Sequence, residues 1–230
     1  MLVRERHGLR PGAGRTAGCR HDQPARPGAA VRQPAAGRLL SGIAFDSTGR
    51  FGHRLLVTAG SGGRTTVFSI GCDGRLSVIA AGAPAVEGGI TVAPAAFGRF
   101  GGDLIAADEA SGRVYAVDPA GQVITVAQPA LPAGGDIGVE STGFVPQRAA
   151  AAYLADRFSR GNKHPGDNAI LQLSAAQLAQ AGIRAGDLLI ATEGGARTID
   201  IRCAAACTIR SVAAGPAIAH AEGHVVFASS

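Results

Sequence analysis

Three glutamates recur in one kind of sequence setting. Glu87 lies in Val86-Glu-Gly-Gly-Ile90, Glu140 in Val139-Glu-Ser-Thr-Gly-Phe144, and Glu222 in Ala221-Glu-Gly-His-Val225. Each stands just before or within a short apolar run, and a shared register would aim the three side chains at one place. Converging carboxylates suit a hard cation such as Ca2+, which takes about 6–8 oxygen ligands, or another divalent ion. Solvated loop glutamates, or glutamates that bond backbone amides, occupy the same setting. A second polar group lies in the loop Asp156-Arg-Phe-Ser-Arg-Gly-Asn-Lys-His-Pro-Gly-Asp-Asn168. There Asp156, Asn162, Asp167 and Asn168 offer oxygen donors, and His164 offers a base or a ligand. The spacing does not fit an EF-hand loop. Irregular insertions on rigid scaffolds often carry ligand-binding groups, and a wide exposed turn is the plain alternative. The chain has no Gly-x-Ser-x-Gly elbow, Walker loop, His-Glu-x-x-His pair or dinucleotide fingerprint. No complete catalytic constellation is present, so enzymatic activity stays undecided at this level.

The elements that must position these residues are repeated. Gly102–Asp118 recurs without a gap as Gly186–Arg202, with Gly102, Asp103, Leu104, Glu109 and Arg113 on Gly186, Asp187, Leu188, Glu193 and Arg197. An earlier copy spans 54–79. Each copy runs through an apolar stretch, a Gly-rich turn, and three further short strands. Asp73-Gly74 and Ala120-Gly121 stand where a hairpin needs positive φ. Many short strands with evenly spaced glycine turns predict an all-β fold, and repetition at roughly 40–50 residues predicts the four-stranded blades of a propeller. A β-sandwich is the competing all-β arrangement.

The stretch Val86–Pro94 followed by Gly102–Gly121 resembles an NHL-type blade. The gluconolactonase/regucalcin-type propellers share this grammar, and the resemblance covers roughly residues 42–213. It implies a ring of six blades and, for the lactonase kind, a metal that polarises a lactone carbonyl. Only the strand-leading glutamates match; the remaining ligand positions of that group have no counterpart that can be assigned here. The expected function is a binding scaffold for a small molecule or protein partner with Ca2+ at the channel mouth. The alternative is a metal-dependent lactone or ester hydrolase using Glu87, Glu140 and Glu222.

Residues 40–84 and 87–132 predict two blades, and 137–213 a third with a large insertion or two irregular ones. Strand 217–228 then has nothing after it. It could complete the first blade, pair with a second copy, or mark a piece of a longer parent protein. The expectation is a partial propeller over 39–230, three to four blades, with homo-oligomers through open blade edges as one consequence. Residues 1–38, rich in Arg, Pro and Gly, predict a disordered leader without the apolar core of a secretory signal. Its arginines contribute most of the +5 net charge of the 230-residue chain, so the charge is weak support for nucleic-acid binding. Ser174 followed by an Ala/Gln/Leu run and Gly182 predicts one short inserted helix. Cys203 and Cys207 face each other across a hairpin turn and could form a disulfide, which would fit a secreted or periplasmic parent; free thiols are the alternative. No run of 18 apolar residues predicts a membrane span.

Overall fold

The computed structural model describes residues 37–127 and 132–229. The basic leader expected over 1–38 lies outside the described residues, apart from its last two. The described chain is all-β with one short helix. Strands β1 (Leu39–Phe45), β2 (Leu55–Ser61), β3 (Arg64–Ile70) and β4 (Leu76–Pro84) form an antiparallel sheet in chain order. Strands β5 (Thr91–Val92), β6 (Leu104–Asp108), β7 (Arg113–Val117) and β8 (Val123–Ala127) form a second.

The third sheet is larger and does not follow chain order. Strands β9 (Val139–Phe144), β10 (Ala149–Asp156) and β11 (Ala169–Ser174) are followed by helix α1 (Ala175–Gln180). Then come β12 (Leu188–Thr192), β13 (Thr198–Cys203), β14 (Cys207–Ala213) and β15 (Ala221–Ser229). Their spatial order is β11-β10-β15-β9-β12-β13-β14, a curled seven-stranded sheet. Its middle is the contact of β9 with β15, which are parallel, with His224 opposite Thr142. Strand β15 therefore does not complete the first sheet; it pairs along β10 instead. The segment 149–187 leaves β9, forms a hairpin that covers β15, and returns to pair β12 with β9.

The repeat is visible as two hairpins of equal register. Ala107 opposes Val114 in β6/β7, and Ala191 opposes Thr198 in β12/β13. The first sheet makes a tighter turn at Gly62-Gly63, with φ of 57° and 70°. Two consecutive positive φ values form the turn that matches strand twist, and glycine takes them at little cost.

Three apolar cores lie between successive layers. Leu56, Val67 and Phe51 of the first sheet meet Leu104, Ala106 and Tyr115 of the second. The opposite face of the second sheet, through Ile105 and Val114, meets Leu188, Ile190 and Ile199. Leu154, Leu173 and Val225 close on Leu189 and on Leu178 of the helix. The helix starts on a capping box: Ser174 accepts from Gln177 N while the Gln177 side chain accepts from Ser174 N. It ends at Ala181, before Gly182 at φ 69°.

The two outermost faces are unlike the inner ones. Leu39, Leu40, Ile43, Phe45 and Val78 of the first sheet, and Ile170 and Val226 of the last, are exposed. Between β1 and β15 lies a cleft of about 430 Å³ lined by Ile43, Phe45, Phe144, Val226 and Phe227.

Near the middle the innermost segments approach backbone to backbone. A Cβ on Gly89 would overlap the carbonyl oxygen of Glu140 and sit 2.5 Å from that of Gly223. A Cβ on Gly42 would sit 2.8 Å from the carbonyl oxygen of Gly88. Gly88 and Gly89 after Glu87 are thus required by closeness, whereas Gly223 after Glu222 is required by its φ of 87°, with open space where a Cβ would stand.

The β1–β2 connection is held by one carboxylate. Asp46 is fully buried and accepts from the backbone N–H groups of Thr48, Gly49, Phe51 and His53 at 2.7–3.1 Å. Burial works against its charge, but the Thr48 hydroxyl and these amides outweigh it and hold the carboxyl below its ordinary range. Asp46→Ala would strand those amides and should cost about 3 kcal/mol, read as a lower urea midpoint at unchanged slope.

Candidate metal centre

Five glutamates and one histidine converge at one end of the innermost strands. Glu140 and Glu222 are the second residues of β9 and β15, and Glu87 leads into β5. Between them come Glu109 and Glu193, the first residues after β6 and β12. Backbone bonds lock the pieces together. Glu193 N donates to Gly138 O at 2.7 Å, Ala221 N donates to Glu193 O at 2.8 Å, and Glu87 N donates to Ala107 O at 3.1 Å. Gly194 forms an isolated bridge with His220.

His220 is 1% exposed and is the hub. Its Nε2 lies 2.7 Å from Glu193 Oε1 and 3.1 Å from Glu222 Oε1. The ligand atoms of Glu193, His220 and Glu222 all lie within 4.8 Å of one another. One N–H cannot neutralise two carboxylates. Arg157 Nη1 donates to Glu222 Oε1 at 2.9 Å and is the cation of the group. Among the described residues, two buried atoms of this cluster have no hydrogen-bond partner, Nδ1 of His220 and Oε1 of Glu109.

The electrostatics report an excess of negative charge. Burial, then the charge of Glu222 and to a lesser degree Glu87 and Glu109, pushes the Glu140 carboxyl up to about 8, against an amide bond from Gly223. Burial, then a shared carboxyl–carboxyl hydrogen bond and repulsion from Glu109, pushes Glu193 up to about 9. Burial and the charges of Glu109, Asp108 and Glu222 raise Glu87. At neutral pH Glu140 and Glu193 therefore keep their protons, and this, with Arg157 beside Glu222, is how the fold tolerates the cluster.

The sequence-selected residues divide accordingly. Glu87, Glu140 and Glu222 share one electrostatic cluster, but only Glu222 belongs to the tight ligand group. Its other two members, Glu193 and His220, were absent from the sequence-based set. Glu193 did carry a signal: it matches Glu109 across the repeat. An imidazole nitrogen among the donors favours a borderline cation such as Zn2+ over Ca2+, which prefers oxygen alone; Mn2+, a harder cation, stands between them.

The loop residues mostly hold the loop. Asp156 is buried and accepts from His220 N at 2.8 Å, so it braces the hub. Asn162 Oδ1 accepts from His164 N, and Asn168 Oδ1 accepts from Phe158 N, both at 2.9 Å. Asp167 is exposed, and its neighbour Asp156 raises it. His164 packs its imidazole on Gly194, and its Nδ1 lies 2.7 Å from Ala217 O. On the opposite margin of the same sheet, Cys203 and Cys207 are joined by a disulfide between β13 and β14.

No family model matches the chain, and neither does any curated protein or solved structure. Among the described residues, no helix is long and apolar enough to cross a membrane.

Proposed function

We propose that this protein is a propeller-type binding scaffold whose carboxylate-lined centre takes up a divalent cation. The observation that carries the reading is the Glu193–His220–Glu222 group, three ligand atoms within 4.8 Å of one another around a buried imidazole. Protonated carboxyls and unpartnered buried atoms are what a cation would relieve: it replaces protons on Glu193 and supplies the charge that Arg157 supplies only to Glu222. The propeller part rests on the NHL-like cassette, on layered apolar cores between successive sheets, and on the parallel contact of β9 with β15. Glu87, Glu109 and Glu140 couple electrostatically to the ligand group, and a bound cation would favour their ionised forms.

Calorimetric titration of the full chain with ZnCl2, MnCl2 and CaCl2 tests this. Zn2+ and Mn2+ are expected to bind with Kd of about 1 μM or tighter, and Ca2+ at least about tenfold more weakly. Binding near pH 7 should release protons, seen as heats that change with the ionisation enthalpy of the buffer. Absence of binding by all three cations would remove the reading.

A further inference from the structure

We propose that Arg157 is the built-in occupant of the cation site, one that a divalent ion displaces from Glu222 and a monovalent ion does not. The proposal rests on the cation reading above.

The guanidinium stands on an atom that the cation needs. Arg157 Nη1 donates to Glu222 Oε1 at 2.9 Å, and the same oxygen lies 3.1 Å from His220 Nε2. Nε2 in turn lies 2.7 Å from Glu193 Oε1. The guanidinium is therefore seated at the rim of the Glu193–His220–Glu222 group, on its least buried member. A divalent cation on Glu222 would meet a positive charge that holds the same carboxylate. Like charges at such a distance repel, so the two exclude one another.

Arg157 is attached so that only its side chain has to leave. Its backbone N–H donates to His220 O at 2.9 Å, and His220 N donates to Asp156 Oδ1 at 2.8 Å. Ala155 opposes Glu222, and Asp156 opposes Ala221, across β10 and β15. Gly166 N donates to Ile218 O at 2.8 Å and fastens the far end of the loop to the same segment. None of these bonds uses the guanidinium. The Arg157 side chain is 63% exposed, and among the described residues Glu222 is its one hydrogen-bond partner. An exposed ion pair of this kind is weak and screened by salt, so it yields to a stronger ligand for the carboxylate. Arg202 shows how the chain holds an arginine that is meant to stay. Its Nε donates to Asp187 Oδ1 at 2.7 Å, its Nη2 donates to Gly182 O at 2.9 Å, and its side chain is 29% exposed.

The charge count gives the selectivity. Among the described residues, Arg157 makes the one ion pair between an arginine or lysine and a glutamate of this cluster. Exchanging it for Na+ or K+ leaves the net charge of the cluster unchanged and gives up a charge-assisted hydrogen bond. Exchanging it for a divalent ion adds one positive charge to a centre of crowded carboxylates, where burial and mutual repulsion raise Glu87, Glu140 and Glu193.

The experiment is calorimetric titration of the full chain with ZnCl2 at pH 7, comparing the wild type with Arg157→Gln and Arg157→Lys. Each is titrated in about 0.15 M tetramethylammonium chloride and again in NaCl at the same ionic strength. Tetramethylammonium is too large to replace the guanidinium on the carboxylate. In that salt Arg157→Gln is expected to bind Zn2+ about tenfold more tightly than the wild type. In NaCl the gain should shrink by about half or more, because Na+ then competes for Glu222, while the wild type binds alike in both salts. Arg157→Lys keeps the charge and should stay within about threefold of the wild type. An arginine kept for structure alone would lower the metal-free thermal midpoint on substitution and leave Zn2+ affinity unchanged or weaker. Unchanged or weaker affinity in Arg157→Gln would overturn the assignment, and so would an equal gain in Arg157→Lys. A sodium effect of equal size in the wild type would remove the selectivity. If neither the wild type nor Arg157→Gln binds a divalent cation, the cation reading itself fails. Binding by the wild type with no gain in Arg157→Gln fails this proposal alone.

Discussion

Glu193→Gln is expected to lower affinity for Zn2+ or Mn2+ about 100-fold, close to 2.8 kcal/mol, without lowering the stability of the metal-free protein at pH 7. The affinity loss follows from geometry. Glu193 Oε1 is one of three donors in the ligand group, and it is the one nearest the hub nitrogen at 2.7 Å. An amide keeps the shape but gives up the anionic oxygen that a cation needs. The stability side follows from the raised carboxyl. Glu193 holds its proton to about pH 9, so at pH 7 it is already neutral and glutamine is close to its isostere. A residue kept only for structure would lose stability on substitution and leave metal binding alone. Calorimetry on the variant, together with a metal-free thermal melt, separates the two. Affinity unchanged within threefold would show that Glu193 is no ligand.

Metal-free stability should fall as pH rises from about 5 to about 9, and Glu140→Gln should flatten much of that slope. The sign comes from proton counting. Glu140 ionises at about 8 in the folded chain, against 4.5 for the ordinary carboxyl. Between those values the folded state holds a proton that the unfolded state has released. Stability therefore declines with pH across the window and levels off above the folded value. Glu193 extends the decline to about 9. For Glu140 alone the change is of the order of a few kcal/mol. Asp46 has the opposite sign, because its carboxyl is held low and its contribution is lost only as pH falls below the ordinary aspartate range. The metal-free protein should thus be most stable at mildly acidic pH, and a saturating cation should move the optimum upward. Urea denaturation at pH 5, 7 and 9, with and without Zn2+, checks both; a flat profile for the wild type would contradict the assignment.

The centre was partly legible in the sequence. Glu87, Glu140 and Glu222 stand out because inner strands begin with the same short phrase, and register alone brings them to one end. Glu109 and Glu193 were visible as matched repeat positions, but matching marks them as part of the blade grammar. Only their place at the turn after β6 and β12 turns them inward. Arg157 shows how little the pattern says by itself. It follows Asp156 as Glu109 follows Asp108, yet it brings a cation to Glu222 where another glutamate would have added to the repulsion.

His220 left almost no trace. It precedes β15, and its meaning depends on which strands β15 joins. Local alternation shows that 221–229 is a strand but not its neighbours, because pairing energy comes from residues distant in sequence. The tertiary structure inserts it between β9 and β10, and this places His220 between Glu193 and Glu222. The sequence by itself determined the all-β class, the repeated hairpins, the helix at Ser174 and the register of the strand-leading glutamates. All of these rest on short-range periodicity, turn chemistry and capping. The tertiary structure decided the sheet order, the inward turn of Glu109 and Glu193, the hub role of His220 and the seat of His164 on Gly194. These depend on long-range strand pairing and on burial of charge, which no local stretch of sequence encodes.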